Sequence, residues 1–433
     1  MTQAEVAGAL LVVGGVSVAC WMRNKKTRNT ILNAPIPRQL DQCKNFFKGS
    51  SGSEVKVLIL GNGCAGAENQ CFGLLRHLQI LSEKRNTRFR PIFVRVVPRY
   101  PLALLPNSVQ VQLRTWMPQA LFATHFDALQ KERVNLLSGP FSGLVIASGR
   151  TTVLSSLYLR ETSGNSACSI QIQQPHCSTH LFDAVVSPIH DVRSYKQDMK
   201  QNLWKLRDNQ LFTIGSLHDV EPVRDEDRKS SSRHLCQLLP HLQQQTGPPD
   251  LLVSILIGSP TSKCPWTFQD LTGELQNVVQ QLLTSTKKTA FFVTLSRRTS
   301  WKLAQEIEEW LERKVPYHQR YLFSPAKHDG RPNPYTHMLH GSQIIVITAD
   351  SVSMASEASS TGKQVIIACR GRVRGKFVKF FEVLEEICGA LPAEKFEEEN
   401  LNKWETSRDE NILDDTRKVA QELLDQLPLL QNR

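Results

Sequence analysis

The chain of 433 residues has neither Lys nor Arg among its first 22 residues, and no Asn-x-Ser/Thr sequon anywhere. The missing basic residues argue against a matrix-targeting presequence, which is arginine-rich and amphipathic. They argue equally against a cleaved signal peptide, whose positive charge precedes its apolar run. Zinc spacing is also lacking: the closest cysteine pairs are Cys64/Cys71 and Cys168/Cys177, and neither suits a metal site. No metal is expected, and reduced thiols on the cytosolic side are the simplest account. No recognised nucleic-acid motif accompanies the net charge of +11. The charge therefore points to acidic partners such as nucleotide phosphates or anionic lipid, and nothing favours nucleic acid. A composition of 40% hydrophobic and 21% charged residues is that of a globular protein, and the length allows two domains plus extras.

What the N-terminus does have is Val6–Met22, an uncharged run of 17 residues followed by Arg23-Asn24-Lys25-Lys26-Thr27-Arg28. As a helix it would span roughly 25 Å, at the short edge of what crosses a bilayer. The positive-inside rule puts Arg23 onward in the cytosol. The pattern reads as a membrane anchor of the outer mitochondrial membrane. The ER membrane is the second choice, and an apolar helix docked on the protein is the non-membrane alternative.

The stretch from Ser342 to Ala368 organises the rest. It reads as strand (Ile344 to Thr348), polar turn, helix to Ser360, a stop at Thr361-Gly362-Lys363, and strand again: a βαβ unit of a parallel sheet. Ligands of such sheets sit at the carboxyl ends of strands, where helix N-termini present unpaired N–H groups. Asp350, Ser351 and Ser353 fall at that point, and Glu357 follows one helical turn after Ser353. For Asp350 and Ser351, ligand contact and simple helix capping are both open. Glu357 lies four residues after Ser353, so it does not complete a capping box.

Other strands end in the same way. Val55 to Leu60 runs into Gly61-Asn62-Gly63-Cys64-Ala65-Gly66, a G-x-G-x-x-G spacing before a helix. Glycines there admit either a ligand or tight βα packing. No acidic residue ends the next strand as a dinucleotide site would require, which argues against NAD. Further polar tips follow at Gly149-Arg150, Gln173 and His190-Asp191, then at Gly258-Ser259 and Ser296-Arg297. This is the pattern of doubly wound sheets whose one edge carries the site. Two guanidiniums at Arg297-Arg298 suit a diphosphate. His190 is either a general base or a hydrogen-bonded loop histidine; a dyad with Asp191 is disfavoured because adjacent strand residues point to opposite sides. The loop Arg370 to Lys376 is either a phosphate contact or a solvated charge run.

ADSVSMASEASSTGKQV (349–365) resembles the signature of the mitochondrial-fission family first named for elongated mitochondria in plants. Further matching blocks are GxENQCxGL from Gly66 to Leu74, the strand tips near Gln173, His190 and His218, and Asn333-Pro334-Tyr335. The sequence departs from the family at His176, Ser216 and Ser259. The resemblance implies an α/β, GT-B-like fold: two Rossmann-like domains facing a cleft. Their expected spans are 54–219 and 250–390, with anchor and linker at 1–53, a linker at 220–249, and an acidic segment and C-terminal helix at 391–433.

The same resemblance implies a nucleotide-sugar-type site formed by Gly258, Ser296, Arg297, Asp350, Ser351, Ser353 and Glu357, with Glu357 matching the glutamate that holds a donor ribose. Gly61, Gly63, Gly66, Glu68, Asn69, Gln70, Gly149, Arg150, Gln173 and Asn333 are expected on the acceptor side of the cleft, with His190 as the candidate catalytic residue. Two roles follow: a fission factor that recruits a dynamin-related GTPase, or an active glycosyltransferase using a nucleotide-sugar donor.

Overall fold

In the computed structural model the described residues are 53–85, 87–96, 105–113, 140–164, 166–192, 208–222, 224–239, 247–325, 332–397 and 412–427, with 39, 205 and 430 singly. The Val6–Met22 run lies outside them. Among the described residues no helix is long and apolar enough to cross a membrane.

The β-branched and aliphatic runs become strands that, at the centre of each sheet, are buried on both faces, as parallel sheets require. The chain divides into two compact units. The first takes residues up to Thr213, then Leu217–Asp219 and Asp415 onward; the second takes Ile214–Ser216 and Val220–Asp414.

In the first unit the order along the chain is β1 (Ser53–Gly61), α1 (Ala65–Ser82), β2 (Thr87–Arg95), α2 (Asn107–Leu113), β3 (Gly143–Ser148), α3 (Val153–Thr162), β4 (Ala167–Ile172), β5 (Ala184–Pro188) and β6 (Gln210–Thr213). The sheet order is β2-β1-β3-β4-β5-β6, with parallel pairing throughout. The direction of winding reverses at β1/β3.

The second unit holds α4 (Asp225–Leu238), β7 (Leu251–Ile257), α5 (Phe268–Thr284), β8 (Thr289–Leu295), α6 (Trp301–Lys314), β9 (Arg320–Phe323), α7 (Tyr335–Gly341), β10 (Ile344–Thr348), α8 (Val352–Ser359), β11 (Gln364–Ala368), α9 (Lys376–Cys388) and β12 (Leu391–Pro392). Its order, β12-β11-β10-β7-β8-β9, is again all parallel. Read from β9, this is the 3-2-1-4-5-6 order of a doubly wound nucleotide-binding fold.

Two expectations need correction. Much of the expected 220–249 linker is helix: α4 packs on α7 inside the second unit, and Ser232 Oγ donates to Gly341 O at 2.8 Å. The segment set apart at 391–433 is not separate from the two units: its described flanks are buried at Ala393, Phe396 and Leu413. The last helix, α10 (Asp415–Gln426), belongs to the first unit. Its Val419, Ala420, Leu423 and Leu424 join Leu74, Leu75 and Leu78 of α1 in one core. An amphipathic helix buries its apolar stripe where another offers one.

Candidate functional site

In the second unit β7 and β10 are neighbours whose connections leave in opposite directions. Their carboxyl ends flank the switch point, where sheets of this type take ligands. Asp350, just beyond β10, is buried there with only 4% of its surface exposed. Its Oδ2 accepts from Ser259 N at 2.9 Å, and its Oδ1 accepts from Trp266 Nε1 at 3.0 Å. A Cβ on Gly258 would lie 2.0 Å from Oδ2, so this glycine makes room for the carboxylate of its own chain. Burial pushes the Asp350 carboxyl above its ordinary range, opposed by hydrogen bonds from Thr348, Ser259 and Trp266 and by the Arg298 charge. An uncompensated buried carboxylate favours its neutral form.

The neighbouring tips are tied to the same point. Gly258 N donates to Thr348 Oγ1 at 2.8 Å, and Thr299 Oγ1 donates to Gly258 O at 2.9 Å. Ser296 Oγ accepts from Arg298 N at 3.1 Å, which turns the chain after β8. Arg297 and Arg298 are exposed, with no ion pair among the described residues. Ser351 caps α8 by accepting from Met354 N at 3.3 Å, and Ser353 is half-buried in the first turn. One turn on, Glu357 Oε2 accepts from the Tyr335 hydroxyl. Tyr335 opens α7, and its backbone N donates to Asn333 Oδ1 at 3.0 Å. Asn333, expected on the acceptor side of the cleft, serves the helix that faces Glu357 in the second unit. In the basic loop after β11, Arg370 pairs with Glu385 and Arg372 with Asp270. Arg370 is largely covered, whereas Arg372 keeps its ion pair at the exposed surface.

The first unit has its own switch point at the ends of β1 and β3. Glu68 and Arg95 form a buried two-pronged ion pair, 3% and 7% exposed: Arg95 Nε lies 3.1 Å from Oε1, and Nη2 lies 3.2 Å from Oε2. Gly63 N donates to the same Oε1 at 2.8 Å. A Cβ on Gly61 would sit 2.6 Å from that oxygen. The glycine spacing read from the sequence thus packs around Glu68. Arg95 went unnoticed in the sequence. Its signal is positional: it ends the second strand, and the parallel register sets it opposite Gly61.

The remaining first-unit residues divide between internal bonding and exposure. Asn69 Oδ1 accepts from Gln39 Nε2 at 3.4 Å, and buried Gln70 donates to Gly66 O at 3.3 Å within α1. Gly149 has φ +85, and a Cβ there would approach the Asn62 amide to 3.0 Å. Arg150 is exposed. Gln173, just after β4, lies in the left-handed region at φ 68, a conformation that costs a non-glycine residue free energy. His190 and Asp191 lie on a 3-10 turn (Ile189–Asp191), not on a strand end, so the opposite-sides argument does not apply. His190 Nε2 is 3.8 Å from Asp191 Oδ1, beyond hydrogen-bond reach. Among the described residues no group of His, Cys, Asp and Glu could hold a metal ion.

The chain is 26% identical over 385 residues to the mitochondrial fission protein ELM1 of Arabidopsis thaliana, covering 79% of this chain and 85% of that one. It is 27% identical over 241 residues to the uncharacterized protein RP120 of Rickettsia prowazekii (strain Madrid E), covering 52% and 64%. Among solved structures, a glycosyltransferase from Rickettsia africae ESF-5 aligns at 11% identity with a TM-score of 0.42, over 85% of this chain and 92% of that one. Residues 65–427 match the protein family described as mitochondrial fission ELM1. The match spans both units, from the first helix after β1 to the end of α10, and the chain belongs to that family.

Proposed function

We propose that the protein is a membrane-anchored fission factor whose second unit binds a nucleoside diphosphate or nucleotide-sugar. Val6–Met22 serves as the anchor, with the body on the cytosolic face of the outer mitochondrial membrane, where it recruits a dynamin-related GTPase. The family match supports the fission role. The observation that carries the ligand reading is the parallel sheet of the second unit. Because β7, β8 and β10 are parallel, the tips bearing Arg297, Ser351, Ser353 and Glu357 share one edge. Glu357 accepts hydrogen bonds that a ribose diol can supply, and an exposed guanidinium matches diphosphate oxygens.

Calorimetry on Glu357→Gln and Arg297→Ala tests the ligand reading. Each change is expected to weaken nucleoside diphosphate binding by about 1.5–3 kcal/mol, the usual worth of a hydrogen bond to a charged group. An absence of binding by the parent chain overturns it and leaves a pure adaptor. Alkaline carbonate extraction tests the anchor: the full chain stays with the membrane pellet, and its release into the supernatant refutes the anchor.

The glycosyltransferase reading draws on the same edge. It is separated by turnover, because an enzyme releases nucleoside diphosphate from a nucleotide-sugar when supplied with an acceptor. A binding module does not.

A further inference from the structure

Glu357 does not stand alone at its edge of the second unit. Its carboxylate is held by the hydroxyl of Tyr335, and Tyr335 is itself set in place by Asn333. The phenol comes from a different helix, 22 residues earlier in the chain, so it fixes α8 side-chain geometry from α7. That second helix is firmly placed. Met338 and Leu339 of α7 are buried, Ser232 of α4 bonds the carbonyl of Gly341, and the His337 ring stacks on His234 of α4 with centroids 3.9 Å apart. The carboxylate-bearing helix is anchored too, by its Ser351 cap and by Ser356 Oγ, which accepts from Ser216 N at 2.9 Å.

We infer that Tyr335 is a positioning residue for ribose recognition, orienting the Glu357 carboxylate toward a vicinal diol, with Asn333 setting Tyr335. The inference rests on the nucleotide reading above and adds the residues that make Glu357 selective. A carboxylate offers about four lone-pair sites, and a diol uses two of them. The phenol needs only one of the four, so bonding to it does not itself exclude a diol. Holding an acceptor in its bound geometry before the ligand arrives lowers the ordering cost of binding. The benefit falls on the hydroxyls that Glu357 contacts, so it shows as selectivity for ribose over 2′-deoxyribose.

The test uses the full-length chain in detergent, with ADP, GDP, CDP and UDP as probes and then the 2′-deoxy counterpart of the tightest binder. Tyr335→Phe keeps the ring and removes only the hydroxyl. The parent is expected to prefer the ribonucleotide, and Tyr335→Phe to lower that preference at least threefold while diphosphate-dependent binding persists. Asn333→Ala should shift the preference in the same direction by less, and it serves if Tyr335→Phe fails to fold by thermal melting. A Tyr335→Phe chain with the parent's ribose preference overturns the inference and leaves the nucleotide site standing. Tighter ribonucleotide binding by Tyr335→Phe also overturns it, because the phenol would then be a competitor. A parent that binds none of the probes removes the nucleotide reading and this inference with it.

Discussion

The switch points of the two sheets solve one problem with different chemistry. Each brings a carboxylate into the space where a doubly wound fold takes its ligand, and each has a glycine at the strand tip to admit it: Gly61 for Glu68, Gly258 for Asp350. In the first unit the carboxylate meets a guanidinium. In the second it meets neutral donors, a backbone N–H and an indole N–H. The difference teaches that a glycine at a strand tip is not by itself a ligand signature. It also predicts that the two units respond differently to substitution and to pH.

The largest effect should come from breaking the charged version. Arg95→Ala leaves Glu68 buried without its counter-charge, a loss of about 3–5 kcal/mol. Hydrogen exchange on the full chain should show β1 and β2 amides losing protection while β7 and β10 keep theirs. Equal loss in both units would mean that they do not unfold separately.

Acid should next separate the units. Burial, helped by the charges of Arg76 and Arg417, lowers the His77 pKa from 6.5 to about 4. The native state holds His77 neutral while the unfolded chain protonates below 6.5, so the first unit loses stability as pH falls from 6.5 toward 4. The full loss is about 3 kcal/mol. In the second unit Asp350 acts in the opposite sense. Its raised pKa means that the native state keeps its proton longer, so its contribution declines as pH rises above 3.8. Urea unfolding as a function of pH, read by exchange in each unit, should give slopes of opposite sign from these two groups. His77→Leu should flatten the first.

The smallest effect sharpens the neutral version. Asp350→Asn keeps one acceptor but points an amide donor at either Ser259 N or Trp266 Nε1. The expected cost is about 1–3 kcal/mol, the penalty for an unsatisfied buried polar group. It should be accompanied by loss of the Asp350 pH slope, as measured by the same exchange experiment.

The strands were legible because parallel sheets demand short apolar runs. Ile344–Thr348 matches its expected bounds, and the flanking polar tips fall on one edge of each sheet. Two strands escaped. Arg320–Phe323 is an edge strand with mostly half-buried residues, and Leu391–Pro392 is too short to leave a pattern. The helix Asp225–Leu238 escaped because it buries only Ser231 and Leu235, so its charge and serines read as linker. At the sites, Glu357 and Glu68 could be singled out, but their partners could not. Tyr335 and Arg95 are 22 and 27 residues away, and only the packing of helices and the strand register bring them near.

The membership of α10 in the first unit has a consequence for synthesis on the ribosome. Chains ordinarily fold unit by unit from the N-terminus as they emerge, at about 5–20 residues per second. Here β6 ends at Thr213 and the helix that completes its unit begins at Asp415. At that rate the interval is roughly 10–40 seconds. Throughout it, Leu74, Leu75 and Leu78 await Val419, Leu423 and Leu424. The second unit has all its strands before the first has its last helix, so the half made first is the half finished last. A nascent chain stalled before Asp415 should bind chaperones through the uncovered face of α1.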